Sequence, residues 1–512
     1  MYSKPLRESR VADGLAPVLM VQGTASSAGK STLVAGLCRL FARRGLRVAP
    51  FKAQNMSNNA AVCAAGGEIG RAQFTQAQAA GVEPTVDMNP ILLKPQGGAS
   101  QVIVRGQVRG VQTAREYFGP ERGDLWPVVA ESLDRLRADF ELVIAEGAGS
   151  PAEINLRSRD IVNMRVALHT DAEVLLVGDI DRGGVFASLL GTWEWLTPAE
   201  RALVGGFVLN KFRGDAALLA PAPALLEQRT GVPVLGVVPY IDNLLLAEED
   251  AASLSQHDVT QPIVDVAVAR LPHVANFDEF GALAAEPGVH VRYVSQPAEL
   301  RAPDLVILPG TKTTIPDLLW LTERGLADRV RWLAVHGTPV IGICGGYQML
   351  GSAVHDPDGV ESQHRSAPGL DLLPIETELA TEKRLARTLG RVLDHGYGVW
   401  SSLAGVSVDG YEIHAGRARV REVHPPFLEL EAGSEGSVAA DLPVVGTHLH
   451  GLLEQPEPRH ALVQALAASR GFTWQPAAGR GRDPFDALAD ILEATVRLDA
   501  LRVSVRIPLH PR

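Results

Sequence analysis

The amino-acid sequence predicts an α/β protein of two domains, each built on a largely parallel β-sheet. In both halves, short apolar runs alternate with stretches of helical character, the pattern of strands that helices cover on both faces. Between the halves, residues 241–262 are polar and acidic and have no clear strand pattern, which indicates a connection between domains. The first half has the pattern of a doubly wound sheet, and the second half is also α/β.

The apolar runs can be followed along the chain. In the first half they are PVLMVQG, LRVAPFK, ELVIAEG, AEVLLVGDI, GGFVLNKF and VPVLGVVP. In the second half they are VDVAVARL, VHVRYV, DLVILPG, TPVIGICGG and PVVGTHLHG. We assign residues 1–245 to the first domain, 246–262 to the linker and 263–512 to the second domain. Asp483 and Pro484 begin a capped amphipathic helix, which we assign to the second domain as a C-terminal extension.

Composition excludes several classes of protein. Of 512 residues, 46% are apolar and 21% charged, the profile of a globular protein. The net charge of -11 argues against a general surface for nucleic acid or anionic membranes. Cys38, Cys63 and Cys344 are too few and too far apart for a disulfide framework or a zinc site. No apolar run reaches 18 residues and no secretory signal is evident, so we expect a cytoplasmic protein without a membrane partner.

A phosphate-binding loop is predicted in VLMVQGTASSAGKSTLVAGL, where a strand, a glycine-bearing turn and a helix follow one another. Such a turn directs backbone N–H groups at phosphate oxygens, while Lys30 supplies positive charge and Ser31 can ligate magnesium. The usual spacing would place glycine at position 24, where this chain has Thr24. The alternative is a Gly/Ser-rich turn without a ligand. The candidate nucleotide ligands are Gly23, Thr24, Gly29, Lys30, Ser31 and Thr32.

Carboxylates end two of the predicted strands. Glu146 follows LVIA and would emerge at the carboxyl edge of the sheet, where ligands bind in open α/β folds, so magnesium coordination is its expected role. A solvated loop glutamate is the alternative. Asp179 and Asp181 end another strand and could hold a metal, position a loop or cap the next helix.

The stretch GICGGYQ places Cys344 between glycines, after a strand and before a helix. A thiol on such a turn is exposed near a helix N-terminus and can act as a nucleophile, although a lone cysteine is more often core packing. The base it needs is sought in GTHLHG, where His448 and His450 lie on the same face of an extended segment. The pattern alone does not separate the two histidines.

The segments also resemble known families. The Gly-x5-Gly-Lys-Ser loop resembles the dethiobiotin-synthetase-like proteins, which phosphorylate carboxylates with ATP and Mg²⁺. Together with PFKAQNMSNN, GEIGRAQ, MNPILLKP, AEGAGSPAEINL and VGDIDRGGVFASLLGT, it resembles the cobyric acid synthase family. The second half is similar to triad-type (class I) glutamine amidotransferases of the same family.

This resemblance implies roles for individual residues. Asn210 would lie near the adenine, and Lys52, Gln54 and Asn55 near the corrinoid or the γ-phosphate. The family commonly has Asp where this chain has Ser27, so any role of that carboxylate is filled otherwise or absent here.

In the second half, the resemblance makes Cys344 the nucleophile and His450 the base, with His448 in place of a tyrosine. The N–H groups of Gly345 and Gly310 would bind the oxyanion. Many triad amidotransferases have glutamate at the position of Leu452, so the group that orients His450 must come from elsewhere. The candidates named for it are Glu412, His414 and Glu454.

The implied activity is ATP-consuming transfer of ammonia from L-glutamine to a corrinoid. The b, d, e and g carboxylates of adenosylcobyrinic acid a,c-diamide would be amidated to give adenosylcobyric acid. The alternatives are the a,c-diamide synthase of the same pathway and a partitioning-type ATPase switch whose second half binds a ligand.

Overall fold

The computed structural model describes residues 14–119, 124–241, 262–395, 398–476 and 483–502. Except for its last residue, the predicted linker 246–262 lies outside these ranges, so that boundary stays a prediction. None of the described helices combines the length and apolar character needed to cross a bilayer.

The first domain contains twelve strands within the described ranges. They are β1 (Val18–Gly23), β2 (Val48–Phe51), β3 (Gln54–Met56), β4 (Ala60–Val62), β5 (Glu68–Gly70), β6 (Ile91–Gln96), β7 (Ala99–Val104), β8 (Gln107–Thr113), β9 (Leu142–Glu146), β10 (Glu173–Asp179), β11 (Val204–Phe212) and β12 (Val234–Pro239). Six of them form a sheet in the order β12-β11-β10-β1-β9-β2, in which all neighbours are parallel. These six are the apolar runs predicted from the first half, and both faces of their sheet are buried.

Two small sheets lie at the carboxyl edge of β2 and were not predicted. One has the order β3-β6-β7-β8 and the other consists of β4 and β5. The helices of this domain are α1 (Lys30–Arg43), α2 (Arg71–Ala80), α3 (Ala114–Tyr117), α4 (Trp126–Asp139), α5 (Met164–Thr170), α6 (Val185–Trp195), α7 (Pro198–Arg201) and α8 (Ala222–Thr230). Helix α2 begins directly after β5 and packs on α1.

The second domain has a parallel core with an antiparallel layer beside it. Its strands are β13 (Val264–Ala269), β14 (Val289–Val294), β15 (Leu305–Leu308), β16 (Val340–Ile343), β17 (Ala353–His355), β18 (Ser366–Pro368), β19 (Ile375–Val392), β20 (Ser407–Val420), β21 (Leu428–Leu430), β22 (Gly433–Glu435), β23 (Ser437–Val438), β24 (Val444–Thr447) and β25 (Leu449–His450). The order β14-β13-β15-β16-β24-β23 is parallel except for β23, and contains the five predicted runs. The long pair β19 and β20 belongs to a separate seven-stranded sheet.

The remaining helices are α9 (Gly281–Ala284), α10 (Pro297–Leu300), α11 (Thr314–Glu323), α12 (Leu326–Val335), α13 (Gly345–Leu350), α14 (Pro456–Ser469) and α15 (Pro484–Thr495). Helix α15 is the predicted C-terminal helix, and Asp483 caps it through the N–H of Phe485. Its assignment to the second domain was wrong. Leu488 and Leu492 are buried in the core of the first domain, against α1, because burying this apolar face requires an apolar partner surface.

The two domains meet through the small sheets and the pair β19–β20. An apolar cluster that spans the boundary contains Ala60, Val62, Leu92, Ile103, Tyr411 and Ile413. Two ion pairs also join the domains, from Arg71 to Asp278 at 2.6 Å and from Glu68 to Lys383 at 3.1 Å. The domains therefore share one buried interface.

Candidate active sites

The phosphate-binding loop lies between β1 and α1, as the sequence predicts. Gly29 precedes α1 with φ of 90°, a conformation that favours glycine, and a Cβ there would overlap the amide nitrogen of Asn210. Lys30, Ser31 and Thr32 form the first turn of the helix, while Gly23 ends β1 and Thr24 follows it directly. The Lys30 ammonium reaches back to the carbonyl oxygens of Ala25 at 3.0 Å and Gly149 at 3.2 Å. A positive charge and a helix N-terminus thus face one concave turn.

Asn210 lies against the back of this loop. Its side-chain amide donates to the carbonyl of Ala28 at 2.9 Å, and the neighbouring Lys211 donates to the carbonyl of Ser27 at 2.7 Å. The expected role of Asn210 near an adenine remains a prediction. Asp179 pairs with Lys211 at 3.1 Å and accepts the N–H of Asp181 at 3.0 Å, so it positions this loop.

Glu146 is the centre of the polar groups at the mouth of the loop. Its carboxylate accepts from Ser31 Oγ at 2.8 Å and from Gln76 Nε2 at 2.6 Å, and pairs with Lys52 Nζ at 2.9 Å. Burial alone would raise the pKa of Glu146, but Lys52 and the two donors outweigh burial and lower it. Glu146 is therefore an anion.

The residues present fit a magnesium ion. Mg²⁺ is commonly held by one or two protein oxygens, with waters and substrate phosphates completing the octahedron. Ser31 Oγ and Glu146 Oε1 are two such oxygens beside a phosphate cradle. The described ranges contain no cluster of three or more metal-binding His, Cys, Asp or Glu side chains. This donor set suits an ion that arrives with its nucleotide.

The two remaining predicted substrate residues lie on β3. Gln54 accepts the hydroxyl of Tyr117 at 2.5 Å, and the Asn55 amide donates to Gln73 Oε1 at 3.1 Å. Asn55 is buried beside Gln73, one turn of α2 from the Gln76 that contacts Glu146. Their proximity to a corrinoid stays a prediction.

Cys344 stands on a sharp turn between β16 and α13. Its φ is 53°, unusual for a residue with a side chain, and its N–H donates to the carbonyl of Thr447 at 2.8 Å. A Cβ on Gly346 would collide with the carbonyl of Leu308, so the turn requires glycine there. The elbow predicted from GICGGYQ is thus present, with the sulfur 3.8 Å from the carbonyl oxygen of Ile413.

His450 is the histidine that faces Cys344. The two side chains line one cavity, and the nearby thiol is one of the groups that raise the pKa of the imidazole. On the other side, His450 Nδ1 lies 3.2 Å from Glu279 Oε1, and Glu279 also accepts the N–H of Gly451 at 3.1 Å. Burial alone would lower the pKa of His450, but Glu279 and Cys344 outweigh burial and raise it to about 10. At neutral pH the His450 ring is therefore an imidazolium, with both nitrogens protonated. An imidazolium next to sulfur stabilises a thiolate.

His448 has a different environment. Its Nδ1 lies 3.1 Å from Glu435 Oε1, and its ring stacks on His414 at 3.9 Å between centroids. Burial, together with His414, lowers the pKa of His448 to about 4, so the ring is neutral. His448 is not among the residues that line the cavity. The structure separates two histidines that the sequence pattern left equivalent.

Glu279 is the orienting group that sequence reasoning missed. Of the candidates named for this position, Glu412 pairs with Arg384 at 2.7 Å and Glu454 with Arg71 at 2.6 Å, and His414 lies 3.5 Å from Glu412. Glu279 lies in ANFDEF, which carries no motif. The only available signal was that this segment follows β13 at the carboxyl edge of the sheet, where functional residues gather.

The space around Cys344, counted out into open solvent, is about 460 Å³. Gly310 and Gly345, the predicted oxyanion donors, both line it. A Cβ on Gly310 would crowd the His450 ring at 2.9 Å, so this close approach requires glycine. Lys312 and Glu361 also line the cavity, and burial lowers the pKa of Lys312 to about 8. Burial raises the pKa of Glu361, and a basic and an acidic group at one wall suit the carboxylate and ammonium of an amino acid.

The fold and its two sites define a class of protein, a glutamine amidotransferase joined to a nucleotide-binding domain. Residues 19–254 match the model of the CobQ/CobB/MinD/ParA nucleotide binding domain, and residues 265–458 match the CobB/CobQ-like glutamine amidotransferase domain. The chain is 49% identical over 502 residues to a cobyric acid synthase of Sorangium cellulosum, covering 93% of this chain and 96% of that one. It is 51% identical over 499 residues to a cobyric acid synthase of Desulforudis audaxviator, covering 95% and 98%. The chain belongs to the cobyric acid synthase family.

A solved structure, PurLQS from Thermotoga maritima, aligns with 41% of this chain and 100% of its own, at 16% identity and a TM-score of 0.33.

Proposed function

We propose that this protein is an ATP-dependent, glutamine-hydrolysing amide ligase. It amidates the b, d, e and g carboxylates of adenosylcobyrinic acid a,c-diamide and so forms adenosylcobyric acid in cobalamin biosynthesis. The observation that carries the proposal is the arrangement of Cys344, His450 and Glu279 in a chain that also holds a phosphate loop. Relatives named cobyric acid synthase support the choice of substrate. The unpaired cysteines support a reducing, cytoplasmic location.

Ammonia is produced in the second domain. The Cys344 sulfur attacks the carboxamide carbon of glutamine, and the N–H groups of Gly345 and Gly310 stabilise the oxyanion. His450 gives its proton to the departing nitrogen, so ammonia leaves and a thioester remains. Water then attacks the thioester, His450 takes up a proton, and glutamate and the thiol are released. Glu279 holds the ring so that Nε2 faces the sulfur.

A carboxylate is activated in the first domain. Carboxylates react poorly with ammonia because oxide is a poor leaving group, and transfer of the γ-phosphoryl group of ATP to the carboxylate oxygen supplies a better one. Lys30 neutralises phosphate charge, and Lys52 lies beside Glu146 at the same edge. A bound Mg²⁺ ion would be held by Ser31 and Glu146 and would stabilise charge on the phosphates. Ammonia then replaces the phosphate, which leaves with the carboxylate oxygen.

Replacing Cys344 tests whether the second domain produces the ammonia that the first domain uses for amidation. We expect Cys344→Ala to abolish amidation driven by glutamine, because the thioester cannot form, and to retain amidation driven by ammonium chloride. Amide formation is counted by the mass of the corrinoid product. Retained glutamine-driven amidation in the variant would contradict the proposal.

The same mass measurement separates the alternatives. Four additions to the a,c-diamide support the proposed substrate, whereas two additions to cobyrinic acid and none to the diamide identify the a,c-diamide synthase. ATP turnover without any corrinoid, unaffected by Cys344→Ala, would instead indicate an ATPase switch.

A further inference from the structure

The cavity around Cys344 reaches the first domain at Lys94. Among the residues lining this cavity in the described part of the chain, Lys94 alone comes from the first domain. Lys94 Nζ lies 2.6 Å from Glu68 Oε1, and Lys383 of the second domain lies 3.1 Å from Glu68 Oε2. Lys383 lines the cavity as well. We call Glu68, Lys94 and Lys383 the boundary cluster, because it joins the domains at the wall of the cavity.

The boundary cluster is charged although it is buried. Glu68 has no exposed surface and Lys94 is 4% exposed. Burial alone would raise the pKa of Glu68, but the two lysines outweigh burial and lower it to about 2. In a buried cluster of this kind each charge is stabilised by its ion pairs, so a shift of one partner leaves the others without compensation.

Two buried amides lie beside the strand that carries Glu68. Strand β5 runs from Glu68 to Gly70, and a Cβ on Gly70 would overlap the side chains of Asn55 and Gln73. These amides bond each other once, and leave Asn55 Oδ1 and Gln73 Nε2 buried without a hydrogen-bond partner in the described structure. Asn55 Oδ1 is an acceptor and Gln73 Nε2 is a donor. Ammonia can both donate and accept, so it satisfies both atoms.

From Asn55 and Gln73, the polar residues continue along α2 to the nucleotide site. Gln73 and Gln76 are separated by one helical turn, and Gln76 bonds Glu146 at 2.6 Å. The apolar cluster that contains Leu92, Tyr411 and Ile413 also spans the domain boundary. Apolar walls exclude the water that would convert ammonia to ammonium, which cannot attack an acyl phosphate.

We propose that ammonia made at Cys344 enters the first domain through the boundary cluster and passes Asn55 and Gln73 to reach the activated carboxylate near Glu146. Glu68 holds Lys94 and Lys383 across the entrance, and the cluster must part for ammonia to pass. The inference rests on the proposed function and assigns residues to its transfer step. No covalent bond changes along the route.

The test compares glutamate released with amide formed in the same reaction. The wild-type enzyme should form about one amide per glutamate. In Gly70→Ala, whose added methyl group displaces the two amides, glutamate release should continue while amides per glutamate fall at least threefold. Lys383→Met removes one bridge of the boundary cluster, so the entrance is no longer closed to water, ammonia escapes, and the same ratio should fall at least threefold. Amidation with ammonium chloride should stay within twofold in both variants.

Two controls match these variants. Gly191→Ala adds a methyl group where nothing lies within 4 Å, and should keep the wild-type ratio. Arg387→Met removes another bridge from β19 to the first domain, the 3.4 Å pair with Glu83, which is exposed and away from the cavity. It should also keep the ratio.

A wild-type ratio in both Gly70→Ala and Lys383→Met would overturn the route. Equal loss of amidation with glutamine and with ammonium chloride would overturn it too, because the residues would then serve the fold. If the wild-type enzyme amidates the corrinoid with neither nitrogen source, the proposed function itself fails.

Discussion

Replacing Glu279 by glutamine separates the charge of this residue from its hydrogen bond. Glu279 and His450 are each 1% exposed and lie 3.2 Å apart, so no solvent screens the pair. The pKa of His450 is raised from 6.5 to about 10 in spite of burial. At about 1.4 kcal/mol for each tenfold change, the surroundings favour the imidazolium by about 5 kcal/mol.

Glutamine can still accept from His450 Nδ1, but it carries no charge. Burial remains and lowers the pKa, so in Glu279→Gln the pKa of His450 should fall to near or below its ordinary value. The raised pKa keeps His450 as an imidazolium up to high pH. Once the pKa falls, the ring is neutral at pH 8 and cannot donate a proton to the departing ammonia. We therefore expect the alkaline limb of glutaminase activity to move down from about pH 10 to below about pH 8. With the pKa at its ordinary value, only about 3% of the rings are protonated at pH 8, so the rate there should fall about 30-fold or more.

The assay is glutamate release, as kcat/KM for glutamine, between pH 6 and 10.5. Glu435→Gln is the matched control, because Glu435 makes the corresponding 3.1 Å contact with His448, outside the cavity. It should retain the wild-type alkaline limb. An unchanged limb in Glu279→Gln, with a normal rate, would refute the assignment of Glu279 as the group that holds His450 protonated.

Two further substitutions test the first domain. Gly29→Ala places a methyl group against the amide of Asn210, at a residue whose φ is 90°, and so strains the loop by about 1–2 kcal/mol. ATP should therefore bind about tenfold more weakly, as measured by calorimetry. Basal glutamine hydrolysis should not change. Leu492→Ala removes a buried side chain of α15 from the core against α1 and should lower the free energy of unfolding by about 2–5 kcal/mol in urea, whereas Leu218→Ala, at a position 82% exposed, should change it little. Equal effects of the two leucine substitutions would contradict the placement of α15.

The parts of the molecule that the sequence predicts are those whose signal is local. A buried parallel strand needs apolar residues on both faces, so the six central strands of the first domain are visible as continuous runs. A phosphate loop and a cysteine elbow each need glycines at fixed offsets, because positive φ or close backbone approach leaves no room for Cβ. Gly29 and Gly346 are such positions.

The histidines show where local pattern fails. Alternation along an extended segment places His448 and His450 on one face. In the structure β24 ends at Thr447 and β25 begins at Leu449, so the strand is interrupted at His448. The interruption turns one ring towards Glu435 and the other towards Cys344. Nothing in the residue types of GTHLHG specifies that break.

The role of Glu279 and the position of the domain interface could not be predicted, because both depend on contacts between residues far apart in the sequence. Glu279 is 171 residues from His450, and its acidic neighbour Asp278 pairs with Arg71 of the other domain. The pattern of the segment does not distinguish the two carboxylates. Strands β3 and β5, which carry Asn55 and Glu68, have only 3 residues each, and their polar residues resemble loop sequence.

The return of α15 to the first domain bears on how the two reactions are joined. The chain leaves the first domain before β13 and re-enters it at α15, so the second domain is tethered at both ends. Partly exposed pairs such as Arg39 with Asp486, at 2.7 Å, add little to this anchor, and the buried leucines supply most of it. Two tethers and a buried interface limit how far the domains can separate. A glutaminase that could swing away would release its ammonia to water, where most of it becomes ammonium, so the fixed arrangement itself favours transfer to the carboxylate.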